Sequence, residues 1–410
     1  MLKPPSLFYR LLSILLLFVW LIHAILHALK FKQFSYISQR LGFTTKTTDD
    51  ALIWVHAASV GEVNLMYPLC QSLIDKKHRL LITTSSATGL QQVKKLFSAS
   101  LQSQIIPIDF LPISKLFIAR NNIKLALIAE TELWPETLYQ TAKNSIPILH
   151  INARLSKKSR QAPLLIRQTL KNTLQYFSHH FVRYPTDVNH FKSMAVKNDK
   201  ITVMGNLKYV QTADKHEMPP NLVGQEYLLA ASTREGEEQL ITKLLHNNTH
   251  WPLLVIAPRH PKRAKQILMS LEPYQLNIAQ RSKADKITSE TQVYLADTLG
   301  EMAALFQHAH LVVMGGSFTD VGGHNLLEPI ALGKATITGP SDFNIKQDVD
   351  ELKQQHAIIQ VFTKAELETR INQLLNNDIE CKKLGNNGKN FIASKQMILQ
   401  DYLEKINTYL

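Results

Sequence analysis

Cysteine is nearly absent: Cys70 and Cys381 are the only two in 410 residues, far apart and outside any CxxC spacing. That excludes a disulfide framework and a cysteine-based zinc site, and it suits a reducing compartment. Glycine is scarce too, with 15 in all, and neither a G-x-G-x-x-G dinucleotide fingerprint nor a G-x-x-x-x-G-K-[ST] phosphate loop occurs. Acidic residues are outnumbered, 33 against 46 Lys and Arg, for a net charge of +13. Such a surplus implies an acidic partner. Zinc-finger spacing and aromatic-rich RNA-binding strands are both missing, so nucleic acid is not that partner. No metal is expected either, because the one Asp-x-Asp, Asp348-Val349-Asp350, lies in a mixed helical run, 344–355, that reads as a solvated face. Isolated histidines such as His56 and His150 read as satisfied interior residues.

A long apolar run occurs at the N-terminus. Leu11 to Leu29 carries no charged residue, and as a helix it would reach about 28 Å, close to the thickness of a bilayer core. No small-residue cleavage site follows before Lys30, so the run reads as a retained membrane anchor rather than a signal peptide. Lys30, Lys32 and Arg40 flank it on one side, and Lys3 and Arg10 on the other. An anionic membrane is therefore the first acidic partner to consider.

From residue 51 short apolar runs alternate with amphipathic stretches, the pattern of βαβ units around parallel sheets. Strands are expected at 52–57, 80–84, 104–108, 125–129, 146–151, 181–184 and 201–204. After a polar, proline-bearing stretch they resume at 227–231, 253–257, 292–295, 311–314 and 335–337. The expected organisation is an anchor helix with basic flank (1–35), an N-terminal domain (36–210), a linker (211–225), a C-terminal domain (226–380) and a closing helical segment (381–410) that packs outside. Two such doubly wound domains would face each other across a cleft, with ligands at the carboxyl ends of strands.

Chemistry concentrates at those strand ends. Six of the 15 glycines (315, 316, 322, 323, 333, 339) fall within 25 residues directly after the run 311–314. A strand, a glycine-rich loop and a helix start expose backbone N–H groups to an anion, the form of a nucleotide phosphate cradle; tight turns without a ligand are the alternative. After strand 52–57 small residues lead to Glu62, which reads as a general base or as a helix N-terminal carboxylate. After 125–129 come Glu130 and Glu132, two residues apart and able to point the same way while the strand lasts, or to cap the helix that Pro135 opens. Arg259, after 253–257, is placed to grip a phosphate. Asn325 and Glu328 have capping-box spacing, with ribose hydroxyls as the other use of Glu328.

HAASVGEV (56–63), ETELWPE (130–136), GNLKY (205–209), AASTREGEE (230–238), APRHP (257–261), DTLGEM (297–302) and GGSFTDVGGHNLLEP (315–329) occur in this order behind a hydrophobic N-terminus. Together they resemble the 3-deoxy-D-manno-octulosonic acid (Kdo) transferases of lipopolysaccharide synthesis, over residues 9 to about 375. The resemblance implies an α/β fold of GT-B type, two Rossmann-like domains facing across a cleft with an N-terminal membrane-anchor helix. It implies CMP-Kdo as donor, the tetraacyldisaccharide lipid A precursor (lipid IVA) as acceptor, inversion at the anomeric carbon, contact with inner membrane lipids, a position on the cytoplasmic side of the bacterial inner membrane, and no cofactor. Residue by residue, it gives Glu62 as general base and Glu132 and Lys208 as transition-state stabilisers. Pro258, Arg259, Leu299, Gly300, Glu301, Gly316, Ser317, Asn325, Leu326, Leu327 and Glu328 fall in the CMP-Kdo-binding segments. Arg234 stands where many relatives carry histidine, so no ligand contact is expected of its side chain. A GT-B enzyme using a UDP-sugar, or a non-catalytic membrane-tethered scaffold of the same shape, are the other readings.

Overall fold

The computed structural model describes residues 2–31, 34–43, 51–211, 219–248 and 250–410. Lys32 of the basic flank and residues 212–218 of the expected linker lie outside the described residues. The chain forms two compact units, Met1–Gln211 with Met397–Leu410, and Thr212–Gln396.

Unit 1 holds seven parallel strands: β1 (Leu52–His56), β2 (Arg79–Thr84), β3 (Gln102–Ile105), β4 (Ile123–Ala129), β5 (Ile148–Ala153), β6 (His179–Val182) and β7 (Ile201–Val203), in the order β3-β2-β1-β4-β5-β6-β7. Unit 2 holds a second seven-stranded parallel sheet, with β8 (Tyr227–Thr233), β9 (Leu253–Pro258), β10 (Ile278–Gln280), β11 (Val293–Leu295), β12 (Leu311–Met314), β13 (Ala335–Thr338) and β14 (Ile359–Gln360), ordered β10-β11-β9-β8-β12-β13-β14 so that β11 lies between β9 and β10. The central strands are apolar on both faces because helices cover both sides of a parallel sheet; β1 and β4 are buried almost throughout. Every expected strand has a counterpart, though β3 and β6 begin two residues before the expected 104 and 181, while β10 and β14, edge strands of three and two residues, were too short to stand out as apolar runs. The fifth strand starts at Ile148 rather than 146, since Pro147 has no N–H to give to the ladder.

The helices that matter below are α1 (Leu7–Phe31), α2 (Val60–Asp75), α3 (Pro135–Lys143), α4 (Leu164–Leu174), α5 (Lys208–Gln211), α6 (Glu237–Asn247), α7 (Leu327–Ala331), α8 (Lys346–Gln354), α9 (Asp378–Ser394) and α10 (Met397–Asn407). Helix α2 runs through Pro68 without ending. In α8, Val349 and Leu352 face inward while Asp350 meets Lys346 in an exposed pair at 3.5 Å, the solvated face expected of that run.

The closing segment does not pack outside; it divides between the units. Helix α9 belongs to unit 2, where Gly385 lies so close to the α7 turn that a Cβ would stand 1.9 Å from the Gly333 oxygen. Helix α10 returns to unit 1, with Tyr402 and Ile406 fully buried and the Asn152 amide donating to the Tyr402 hydroxyl at 3.2 Å. The apolar stripe of α10 needs a core to cover it, and unit 1 supplies one.

Both sheets have a central switch point, between β1 and β4 and between β8 and β12. These are the points where doubly wound sheets leave room at the carboxyl edge.

Candidate active site

In unit 1 the turn after β1 is set by Ser59, whose hydroxyl accepts the Glu62 N–H at 3.4 Å and caps α2. The Glu62 carboxylate reaches back to accept the Ala58 N–H at 2.6 Å. The capping role foreseen for Glu62 is therefore real, and it coexists with an unusual acidity. Burial first, then the negative charge of Glu132, push its pKa to about 7, and the Ala58 bond only partly opposes them. A carboxyl poised near neutrality can take up a proton.

Glu132 lies beyond the end of β4, the strand beside β1. Glu130 and Glu132 do not point the same way. The strand stops at Ala129, and Glu130 takes a left-handed conformation (φ 50°), so the alternation of faces is lost. Nor do they cap α3: its first amides, of Glu136 and Thr137, donate to Asp109 at 3.0 and 2.7 Å. The Glu132 carboxylate instead accepts the Trp134 indole N–H at 3.0 Å and lies 3.3 Å from His56 Nε2. Burial would raise its pKa, but the His56 and Trp134 contacts outweigh that and hold it below the ordinary value. Two carboxyl groups near one another thus have opposed acidities, the pattern that separates a proton acceptor from a fixed negative charge. His56 is fully buried, with Nδ1 3.1 Å from the Thr83 carbonyl and 2.9 Å from the Thr83 hydroxyl, and Nε2 is the atom turned to Glu132 and Trp134.

Glu130 has its own task. It pairs with Arg154 at 2.9 Å and accepts from Asn152 Nδ2 at 3.5 Å, while Asn152 Oδ1 accepts the Leu207 N–H at 3.1 Å. Asn206 Oδ1 accepts the next amide, that of Lys208, at 3.1 Å. The segment carrying Lys208 is thus tied to the carboxyl ends of β4 and β5 through Asn152.

In unit 2 the glycine-rich loop holds an anion, but one belonging to the protein. The buried Glu237 carboxylate, at the start of α6, accepts the N–H groups of Gly316 (2.7 Å), Phe318 (2.8 Å) and Arg234 (2.8 Å). A phosphate has no claim on those amides. Gly316 itself sits under His324, where a Cβ would be 2.6 Å from the ring. Ser317 is fully buried, its hydroxyl donating to the Met314 carbonyl (2.6 Å) and accepting the Gly339 N–H (2.8 Å). The loop is thus a braced scaffold, and Gly316 and Ser317 shape it from within.

What the scaffold presents is basic. Arg234 donates to His324 Nε2 at 3.2 Å and lies 3.0 Å from His260 Nε2. His324 is held neutral, its pKa lowered to about 4 by desolvation and by Arg234, Arg259 and His260. The Arg234 side chain is therefore the centre of this cluster. Ser232, just before it, has φ 55°, a strained setting of the kind that gathers at working strand ends. Arg259, exposed at the end of β9, donates its N–H to the Thr233 carbonyl at 3.1 Å, and Pro258 before it is buried.

Asn325 Oδ1 accepts the Leu327 N–H at 3.1 Å and its amide meets Glu328 Oε1 at 3.4 Å, so Asn325 opens α7 and Glu328 stays half-exposed beside it. Leu326 and Leu327 point into the core. Leu299 is exposed next to Gly300, whose φ of 88° favours glycine. The Glu301 carboxylate is engaged by Arg281 at 2.7 Å and by the Thr298 hydroxyl. Among the described residues no group of three His, Cys, Asp or Glu side chains is placed to hold a metal ion.

Two Rossmann-like units in one chain, with a carboxylate pair of opposed acidities at the switch point of the first and a cationic cluster at that of the second, have the architecture of the GT-B class. Residues 35–211 match the 3-deoxy-D-manno-octulosonic-acid transferase (kdotransferase) family and residues 240–391 match glycosyl transferases group 1. The chain belongs to the 3-deoxy-D-manno-octulosonic acid transferase family. A relative of that name from Haemophilus influenzae is 32% identical over 87% of both chains, and one from Rickettsia bellii is 29% identical over 98% of this chain and 99% of its own. In fold alone the chain is similar to the UDP-GlcNAc 2-epimerase of Neisseria meningitidis bound to UDP-GlcNAc, at 17% identity over 87% of this chain and all of that one, TM-score 0.60.

His56, Asn152, Arg154, Glu237 and His324 escaped the sequence reading as parts of the site. The EGEE run beside the β8 end was the available signal for Glu237; for His56 the signal was its place at the carboxyl end of β1, three residues before Ser59.

Proposed function

We propose that this chain transfers Kdo from CMP-Kdo to the tetraacyldisaccharide lipid A precursor, lipid IVA, inverting the anomeric carbon, on the cytoplasmic side of the bacterial inner membrane. The observation that carries the reading is the carboxyl pair: Glu62 with a pKa of about 7 and Glu132 held below its ordinary value at the ends of neighbouring strands. Glu62 accepts the proton of the acceptor hydroxyl as that oxygen attacks, and one base without a covalent intermediate suits inversion. Glu132 stays ionised, and its charge offsets the positive character that grows at the anomeric carbon as the donor bond breaks. Lys208 faces the Kdo carboxylate.

On the donor side, Arg259 and Arg234 hold the single phosphate of CMP, which departs as the anion they stabilise. Glu328 accepts from ribose hydroxyls, and the exposed Leu299-Gly300 turn borders the nucleoside, with Glu301 fixed by Arg281. Pro258 and the Asn325 to Leu327 segment contribute backbone. The net charge of +13 suits a phosphorylated acceptor in an anionic membrane. Incubation of purified enzyme with CMP-Kdo and lipid IVA, followed by mass spectrometry of the lipid, is expected to show added Kdo. Calorimetry is expected to show CMP binding more tightly than UDP. Preference for UDP would favour the UDP-sugar reading, and binding without any turnover the scaffold.

A further inference from the structure

Helix α1 is long enough to cross a bilayer, and its length and composition mark it as a candidate span. Its packing says otherwise. At its N-terminal end the Tyr176 hydroxyl donates to the Lys3 carbonyl at 2.7 Å, Ser6 meets Thr169 at 3.4 Å, and the Tyr9 hydroxyl donates to Asp109. Arg10 forms a two-pronged pair with Glu136, at 2.9 and 3.1 Å, and Glu136 is fully buried. Farther along, the Arg40 guanidinium lies over the Trp20 ring at 5.6 Å, and Ala24 and Ala28 are buried. Within the helix Tyr9, Ser13, Leu16, Trp20, Ala24 and Ala28 turn to the body at three- or four-residue intervals, so they form one face. That face rests on unit 1 at both ends.

The other faces are the reverse. Leu7, Leu11, Leu15, Phe18, Ile22 and Leu26 are each more than half exposed. A helix crossing a bilayer must leave one end on the far side. Here both ends are fastened to the same α/β unit, and detaching the first end would take from the buried Glu136 carboxylate the Arg10 guanidinium and from Asp109 the Tyr9 hydroxyl. A long helix with a polar and small-residue face on protein, and apolar faces left over, is built to lie along a lipid surface.

We propose that α1 lies in the plane of a phospholipid monolayer, docked on unit 1 by one face and embedded among acyl chains by the others, rather than crossing the bilayer. A second surface supports the same plane. The first turn of α4, Leu164, Leu165 and Ile166, is exposed, with Lys158, Arg160 and Arg167 close in sequence, and Thr169 of the same helix is the group that meets Ser6. An apolar tip among cations adjoining the start of α1 matches anionic headgroups above acyl chains.

The plane also reaches the chemistry. The groove between α1 and the body is lined by Leu12, Leu16, Trp20, Ile108 and Trp134, and Trp134 is the residue whose indole holds Glu132. On the lipid-acceptor reading given above, an acyl-chain substrate would approach this end of the site without leaving the membrane.

The test uses the full chain in sealed membrane vesicles of both orientations, with an impermeant maleimide against Leu2→Cys and, as a marker of the body, Ser100→Cys. The two native cysteines are buried. Both introduced thiols are expected to label from the same face; labelling of Leu2→Cys from the opposite face overturns the proposal in favour of a span. The double variant Leu164→Glu, Leu165→Glu is expected to weaken binding to phosphatidylglycerol-containing vesicles about tenfold or more, and unchanged binding removes α4 from the lipid surface. If Leu15→Glu instead turns a detergent-solubilised dimer into a monomer while membrane binding persists, a second copy covers the apolar faces and the proposal fails. None of these readouts depends on transfer, so they stand or fall separately from the donor and acceptor assignment.

Discussion

Replacing Glu62 by Gln separates the chemical from the structural role of this side chain, because the amide keeps its shape and an oxygen for the Ala58 N–H at the 2.6 Å contact. It cannot accept a proton. Removing a general base lowers turnover by about 10² to 10⁴-fold. In the wild type the logarithm of the rate should climb with pH and level off above about 7, where Glu62 is ionised; the variant should show a low rate without that inflection.

Stability should move the other way. A carboxyl whose folded pKa exceeds its unfolded one binds more protons when folded, so stability falls as pH rises from about 4.5 to about 7. The shift corresponds to roughly 3 kcal/mol before screening, and to about 1–2 kcal/mol once discounted for a half-buried group. Glu62→Gln should therefore match the wild type in thermal unfolding below pH 4.5 and melt a few degrees higher at pH 8. The assays are transfer rates from pH 5 to 9 and parallel melting curves. Activity within a few-fold of wild type would refute the assignment and leave Glu62 as a helix cap only.

Arg259→Ala and Arg234→Ala should each weaken CMP binding by about 1–3 kcal/mol in calorimetry, whereas Ser317→Ala should leave CMP affinity nearly unchanged while lowering the melting temperature, since its hydroxyl is spent on Met314 and Gly339. Trp134→Phe removes the N–H that helps keep Glu132 ionised, so kcat should drop by about tenfold, the loss of roughly one charge-assisted bond, with the KM for CMP-Kdo little altered; an equal change in KM would make Trp134 a binding residue. Gly385→Ala places a methyl 1.9 Å from the Gly333 oxygen, backbone against backbone. It should cost about 3 kcal/mol or more, read by denaturant unfolding, while Gly224→Ala, which meets nothing within 4 Å, should be far milder, limited to the strain of its φ of 79°.

Strands β1, β4, β8 and β12 were legible because burial on both faces of a parallel sheet writes a continuous apolar run into neighbouring residues, and the motifs then fall at their carboxyl ends by chain order alone. Helix α1 was legible for the same local reason. Other features depend on residues far apart in the chain, and periodicity is blind to those. Glu237 fills amides that lie 79 and 81 residues downstream; a glycine loop announces a cradle but not its occupant. The pairing of His56 with Glu132 needed β1 and β4 to be neighbours, which the strand order, not the sequence spacing, decides. Glu130 and Glu132 parted because the strand ends at Ala129 and Glu130 turns left-handed. Hydropathy alone marks α1 as membrane-seeking, while its lie against the body rests on Arg10 meeting Glu136, 126 residues away. Local sequence determined which segments seek a core or a lipid. The fold decided which charges meet, because a buried carboxylate must find its donor wherever the chain topology has placed one.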